Sequence, residues 1–312
     1  MQDLKNLERL IGDLKFRGAK GTTGTQASFL SLFKDDAKKV FDLDEMVARA
    51  SGFGEAGTLP ICGQTYSRKI EVEISAVLAS FAASANKIAV DLRLLAHLKE
   101  VEEPFESNQI GSSAMAYKRN PMRAERVCSL ARHLMTLMNN SMQTAANQWL
   151  ERTLDDSANR RITISESFLT ADAILIILNN IFSGIIVNEA VIKQNVKREL
   201  PFMVTEKIIM AMVMDGAGAD RQECHEKIRL HSLASHERMK SGESGGTNDL
   251  FERIAGDPYF KPILSKLDGF KDASCLIGCC KEQVSRFIEN FVNPALELAQ
   301  KSEAREAWDL TV

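Results

Sequence analysis

A chain of 312 residues with 45% hydrophobic and 26% charged side chains has the make-up of a globular protein with ample core, and its length fits about two domains. Its net charge of −3 argues against a surface built for DNA or RNA. Few aromatics and prolines beside many Leu and Met favour helices over sheets.

The opening Met1-Gln2-Asp3-Leu4-Lys5 runs straight into an amphipathic pattern with no secretory leader. Its stripe is Leu4, Leu7, Leu10, Ile11 and Leu14, which predicts a helix over 1–17. No capping residue precedes it, so the expectation is a helix that normally starts earlier and an absent N-terminal part. Gly18 to Gln26 (GAKGTTGTQ) is a glycine-threonine loop. It reads as a phosphate cradle or as a helix–helix connection. The missing GxxxxGK[ST] pattern and the missing strand before it favour the connection. Short helices are predicted at 27–33 and 35–50.

Gly63-Gln64-Thr65-Tyr66-Ser67 is a turn and cap opening a long helix to about Leu98, with Ile70, Ile74, Val77, Leu78, Phe81, Ile88, Leu92 and Leu95 apolar. A polar connection over 99–120 ends in a serine loop. A second long helix runs from Pro121 to about Gln148, with Val127, Leu130, Leu134, Leu137 and Met138 apolar. A third starts near Ser157 and passes through Phe168, Leu169, Leu175, Leu178 and Ile181. Rods of this size reach roughly 45 Å at ~1.5 Å rise per residue and imply an elongated bundle. The most apolar run, Ala173 to Val187, is interrupted by Asn179, Asn180 and Ser183 and reads as too short to cross a membrane. The fold class expected is all-α: a long-helix bundle over 1–187 and a smaller helical domain over 188–312, where helices shorten and loops multiply. The six cysteines read as reduced thiols of a cytoplasmic protein. Cys275, Cys279 and Cys280 cluster without a histidine at zinc spacing, so no metal is expected.

Chemistry concentrates in two stretches. Gly111-Ser112-Ser113-Ala114-Met115-Ala116-Tyr117-Lys118-Arg119-Asn120-Pro121 runs a small-residue loop into a helix start, with Asn120 as predicted N-cap and Pro121 at the first helical position. Arg123 and Arg126, three apart, are predicted to share a face. Backbone N–H groups, a helix dipole, Lys118 and these arginines suit a small anion. Ser112 needs an alkoxide stabilised by positive charge to act as a base, and this loop offers the charge. The second stretch is Trp149 to Arg161. Ser157 and Arg161 stand at i and i+4 at a helix start, with Arg152 just upstream, a set that suits phosphate. The competing reading is a surface salt-bridge cluster with Glu151, Asp155 and Asp156. Gln64 alone reads as a turn residue. The histidines (His97, His133, His225, His231 and His236) read as packed or solvated groups.

Antiparallel neighbours would put the starts of the first and third long helices at one end, and the serine loop with Arg126 at the other. A single site drawing on both must then come from different subunits of a symmetric oligomer.

GSSAMAYKRNP resembles the GSSxMPxKxNP signature of the fumarase/aspartase/argininosuccinate lyase superfamily. KGTTGTQASFL, ICGQTYSRK, QWLERTLDDSANRR, ELPFMVTEKIIMAMV and RQECHEKIR resemble its adenylosuccinate lyase branch, over essentially the whole chain. The resemblance implies an all-helical homotetramer in the cytoplasm with no cofactor, no metal, no nucleic acid and no membrane partner. It implies release of fumarate from adenylosuccinate and from succinyl-aminoimidazole carboxamide ribotide in purine synthesis. Ser112 would be the base. Lys118 and Asn120 would hold the carboxylate. Gln64, Arg126, Arg152, Ser157 and Arg161 would contact substrate. Two departures accompany it. The signature proline is Ala116. The family's N-terminal histidine acid has no counterpart among the five histidines, so weak activity alone, or a complementing assembly subunit of the same tetramer, is expected.

Overall fold

The computed structural model describes residues 1–54, 57–105, 115, 117–215, 218–242 and 245–301. Ser112 and Ala116 lie outside the described residues, as do Gly216, Ala217, Glu243 and Ser244 of the expected loops. The chain divides into two compact units at Ile186/Val187.

The first unit is built on three long helices: α4 (Lys69–His97), α5 (Met122–Ala146) and α6 (Asp155–Ser183), preceded by α1 (Gln2–Asp13), α2 (Ala27–Leu32) and α3 (Ala37–Ala50). The only strands among the described residues are the two-residue β1 (Val101–Glu102) and β2 (Ile186–Val187), which pair with each other.

The core of this unit takes in the predicted stripe of α5 and departs in part from the stripes predicted for α4 and α6. On α4 the fully buried positions are alanines, Ala82, Ala85 and Ala89, flanked by Leu78 and Leu92, while Ile88 is 37% exposed. They meet Ala124, Val127, Ala131 and Leu134 of α5 and Ala171, Ile174, Ile177 and Ile181 of α6. Small side chains let the backbones approach closely, so the packed face is the one without bulk. Phe168, Leu169 and Leu175, expected to face the core, are 50%, 71% and 53% exposed. Helix α6 therefore carries large apolar side chains on its open face as well as on its packed one, among exposed Arg161, Ser165, Asp172 and Asn179. By length and composition alone it could cross a membrane, a test that a core helix also passes, and 39% of its most apolar window is buried in the bundle.

The second unit contains α7 (Glu189–Met203), α8 (Thr205–Asp215), α9 (Arg221–Ser241), α10 (Leu250–Gly256), α11 (Leu264–Leu267), α12 (Cys280–Phe287) and α13 (Asn293–Lys301), with short 3₁₀ turns between. Its core gathers Leu200, Val204, Ile208, Met212, Ile228, Leu250, Ile254, Phe260 and Ile263. Two carboxylates lock it. Asp249 accepts from Arg238 (2.6 Å) and Arg253 (2.9 Å). Asp257 lies 2.9 Å from His231 Nε2 and accepts the Tyr259 N–H at 2.9 Å.

Both carboxyls are held below the ordinary aspartate value of 3.8, Asp249 by Arg253 first and Asp257 by His231 first. A depressed folded-state pKa supplies stability above the unfolded value, and that stability is lost as pH falls through the folded one. Acidification from pH 5 to 3 should therefore lower the melting temperature of the parent chain more than that of D249N/D257N, as read by circular dichroism; equal slopes would contradict this.

Candidate active site

Two separate groups of candidate residues form, one at each end of the three-helix bundle. Gln148, past the end of α5, bonds to the residues that open α4, and the end of α4 meets the start of α5 around one cavity, so α4 and α5 run antiparallel.

The first group sits where α4 and α6 begin. Arg68 is 3% exposed. Its Nε donates to Asp156 Oδ2 at 2.7 Å, and its Nη1 lies 3.8 Å from Glu71 Oε1. Arg160 bonds to Glu71 and donates to the Tyr66 hydroxyl at 2.8 Å, and Tyr66 donates to Glu71 at 2.7 Å. Burial, and then the bond to Glu71, raise the Tyr66 pKa, so its proton stays on. Gln148 closes the network: its Oε1 accepts the Arg68 N–H at 2.9 Å, and its Nε2 donates to the Tyr66 carbonyl at 3.1 Å. The turn before α4, the end of α5 and the start of α6 are thus one hydrogen-bonded block. On it stand Gln64, exposed; Ser157, half-buried in the first turn of α6; Arg161, exposed one turn on; and Arg152, half-buried in the loop between. Helix α6 opens at Asp155, slightly before the predicted Ser157.

The salt-bridge reading of this stretch gains no support. Asp156 is committed to Arg68, and neither Arg152 nor Arg161 makes an ion pair among the described residues. Arg152 Nε is buried without a partner. The chemistry available is a set of cations and a hydroxyl at a helix start, ready for an anion.

The second group lies at the start of α5. Lys118 and Asn120 are exposed and line a cavity of about 380 Å³ with His97, Lys99, Glu103, Phe105, Tyr117 and Arg119. Here the structure corrects the sequence reading. Pro121, not Asn120, is the N-cap of α5, and no side chain of its own caps it. The helix start is taken by Glu103, whose carboxylate accepts the Arg123 N–H at 2.9 Å and the Ala124 N–H at 2.6 Å. Burial raises the Glu103 pKa against those two bonds. The α5 dipole therefore meets a protein carboxylate rather than a ligand. Arg123 does not join Arg126 either: it is 1% exposed and bonds to the Pro104 carbonyl, while Arg126 is exposed and unpaired among the described residues. Glu103 was missed because a capping carboxylate nineteen or more residues upstream leaves no local sequence signal.

The two groups are separated by the length of α4, 29 residues, or about 43 Å at 1.5 Å per residue. One copy of the chain does not bring them together.

This architecture is the one seen in fumarate-lyase-type enzymes. The structure superimposes on a fumarate lyase from Mesorhizobium sp. BNC1 with a TM-score of 0.71 at 21% identity, covering 93% of this chain and 60% of that one. A 3-carboxy-cis,cis-muconate lactonizing enzyme from Pseudomonas putida gives 0.69 at 21% identity, covering 92% and 60%. These establish the fold. Residues 23–136 match the family model described as Lyase, and residues 201–287 match Adenylosuccinate lyase C-terminus. Curated adenylosuccinate lyases of Schizosaccharomyces pombe and Saccharomyces cerevisiae are 53% and 56% identical, over 99% and 96% of this chain and 63% and 61% of their own lengths. The chain belongs to the adenylosuccinate lyase family of the fumarase/aspartase superfamily, and it spans about three fifths of the length of these relatives.

The arginines divide into structural and uncommitted ones, and stability should tell them apart. R68M strands the buried Asp156 carboxylate, while Glu71 keeps Arg160 and Tyr66, and should cost about 3–5 kcal/mol. R161M, at an exposed and unpaired position, should stay within about 0.5 kcal/mol of the parent. Urea unfolding of both variants checks this; equal losses would contradict the division.

Proposed function

We propose that this chain catalyses β-elimination of fumarate from adenylosuccinate, giving AMP, and from succinyl-aminoimidazole carboxamide ribotide, giving the carboxamide ribotide. The observation that carries the reading is the set of cations that make no ion pair among the described residues, Lys118, Arg126, Arg152 and Arg161, beside arginines bonded into the fold, Arg68, Arg160 and Arg123. Their positions coincide with the substrate contacts of the family resemblance.

In this scheme Ser112 removes the proton from the succinyl carbon next to a carboxylate. Lys118 and Asn120 stabilise the aci-carboxylate that forms, and Arg126 aids in holding the substrate. The electron pair then expels the nitrogen, the C–N bond breaks, and the nitrogen takes a proton. Arg152, Ser157 and Arg161 hold the phosphate, with Gln64 beside them. No cofactor or metal enters the scheme.

Separation of the two groups by the length of α4 requires a second copy of the chain, so we assign composite sites in a homo-oligomer, a tetramer by family resemblance. The large apolar side chains exposed on α6, Ile162, Leu169 and Leu175 at 65%, 71% and 53%, support this, since a cluster of such groups calls for cover. The substrates are soluble metabolites, in keeping with a cytoplasmic setting.

His133 lies 2.9 Å from Glu166 and His231 2.9 Å from Asp257, and neither is assigned the proton that the leaving nitrogen takes. Adenylosuccinate absorbance followed with the purified protein should fall, fumarate should accumulate in step with AMP, and S112A should slow both about 10²–10⁴-fold. Turnover unchanged in S112A would overturn the role of the serine.

A further inference from the structure

The glycine-threonine loop, which the sequence left between a cradle and a connection, is built into the wall of the first residue group. Arg17 Nη2 donates to the Gly21 carbonyl at 2.7 Å and to the Gly63 carbonyl at 2.8 Å, tying the loop to the residue before Gln64. Gly24 has φ +84°, and a Cβ there would overlap the Cys62 carbonyl, so only glycine allows this approach. On Gly63, a Cβ would stand 3.5 Å from the Glu151 carboxylate, next to Arg152. Residues 21–25, 62–64 and 149–152 are therefore three neighbouring loops, and the latter two carry Gln64 and Arg152.

The loop is anchored from behind. Lys20 is 5% exposed and pairs with Asp44, which also accepts the Ala19 N–H at 2.5 Å. Gln26 adopts a left-handed φ of 60°, its N–H donates to the Lys20 carbonyl at 2.9 Å, and its Nε2 donates to the Ala19 carbonyl at 3.1 Å. A buried ion pair is a costly way to hold a mere connection. What the loop presents outward is hydroxyl: Thr22, Thr23 and Thr25 are exposed, and the Thr23 and Thr25 hydroxyls lie 3.0 Å apart. When one donates to the other, a proton remains free to point outward. On the neighbouring loop, next to Glu151, the Nε of Arg152 is buried and has no hydrogen-bond partner.

We propose that Thr23 and Thr25 are further ligand-binding residues, which donate a hydroxyl to the phosphate of the nucleotide that Arg152, Ser157 and Arg161 hold. This rests on the nucleotide reading above. The anchors Arg17, Lys20, Asp44 and Gly24 act through the loop as positioning residues.

Calorimetric titration of the full chain with AMP and with adenosine tests it. T23V/T25V should weaken AMP binding about tenfold, the worth of a hydrogen bond to a charged group, and leave adenosine binding unchanged. T23S/T25S, which restores the hydroxyls, should restore AMP affinity and shows that the loop folds in altered chains. R161A should weaken AMP binding in parallel. Full AMP affinity in T23V/T25V, with loss in R161A, would overturn the loop assignment and leave the nucleotide reading standing. No AMP binding by the parent chain would overturn both.

Discussion

Arg68 is the constraint on which the first unit depends. A guanidinium at 3% exposure, set between Asp156 and Glu71, is tolerable only with its charge matched. Matching it joins the start of α4 to the first turn of α6, and Gln148, bonded to the Arg68 backbone N–H, adds the end of α5. Gln64, Arg152, Ser157 and Arg161 all stand on those segments. The positions of the candidate phosphate ligands thus follow from a buried ion network.

The same division of labour recurs at the far end of α4. Glu103 occupies the N-terminus of α5 and Arg123 is spent on the Pro104 carbonyl, leaving Lys118, Asn120 and Arg126 outward. At each end, one set of charges holds the backbone and another set faces solvent. The rigid alanine-lined packing of α4 against α5 and α6 keeps the two ends apart. One end of α4 cannot reach the other within one copy, so the proposed composite site would be complete only in the proposed assembly.

The long helices and their order were legible, because three runs of near-uninterrupted helical periodicity leave few alternatives. Which face packs was legible on α5, where Val127, Leu130, Leu134 and Leu137 reach the core, and only in part on α4 and α6. Large residues such as Phe168, Leu169 and Leu175 dominated the pattern, yet the buried faces are carried by Ala82, Ala85, Ala89, Thr163, Ser167 and Ala171. A helix with large apolar residues on two faces gives no single stripe to read. The uncommitted cations at 118, 126, 152 and 161 were picked out by residue type and spacing. Their structural neighbours were not separable from them: Arg123 and Arg126 look alike in sequence, and only the distant Pro104 and Glu103 decide that one is internal. The serine at 112 lies outside the described residues, so its placement rests on the motif.

The separation of the two residue groups is the most direct quantity to measure. Spin labels placed at Lys118 and Arg161 of one chain, on a background free of exposed cysteines, report the distance by pulsed dipolar spectroscopy. Labelled chain diluted in excess unlabelled chain should give a long distance near the length of α4, about 40 Å. Undiluted labelled chain should add a much shorter distance between copies, within the span of a nucleotide. If the undiluted sample shows the long distance alone, the two groups never meet and the composite site does not exist.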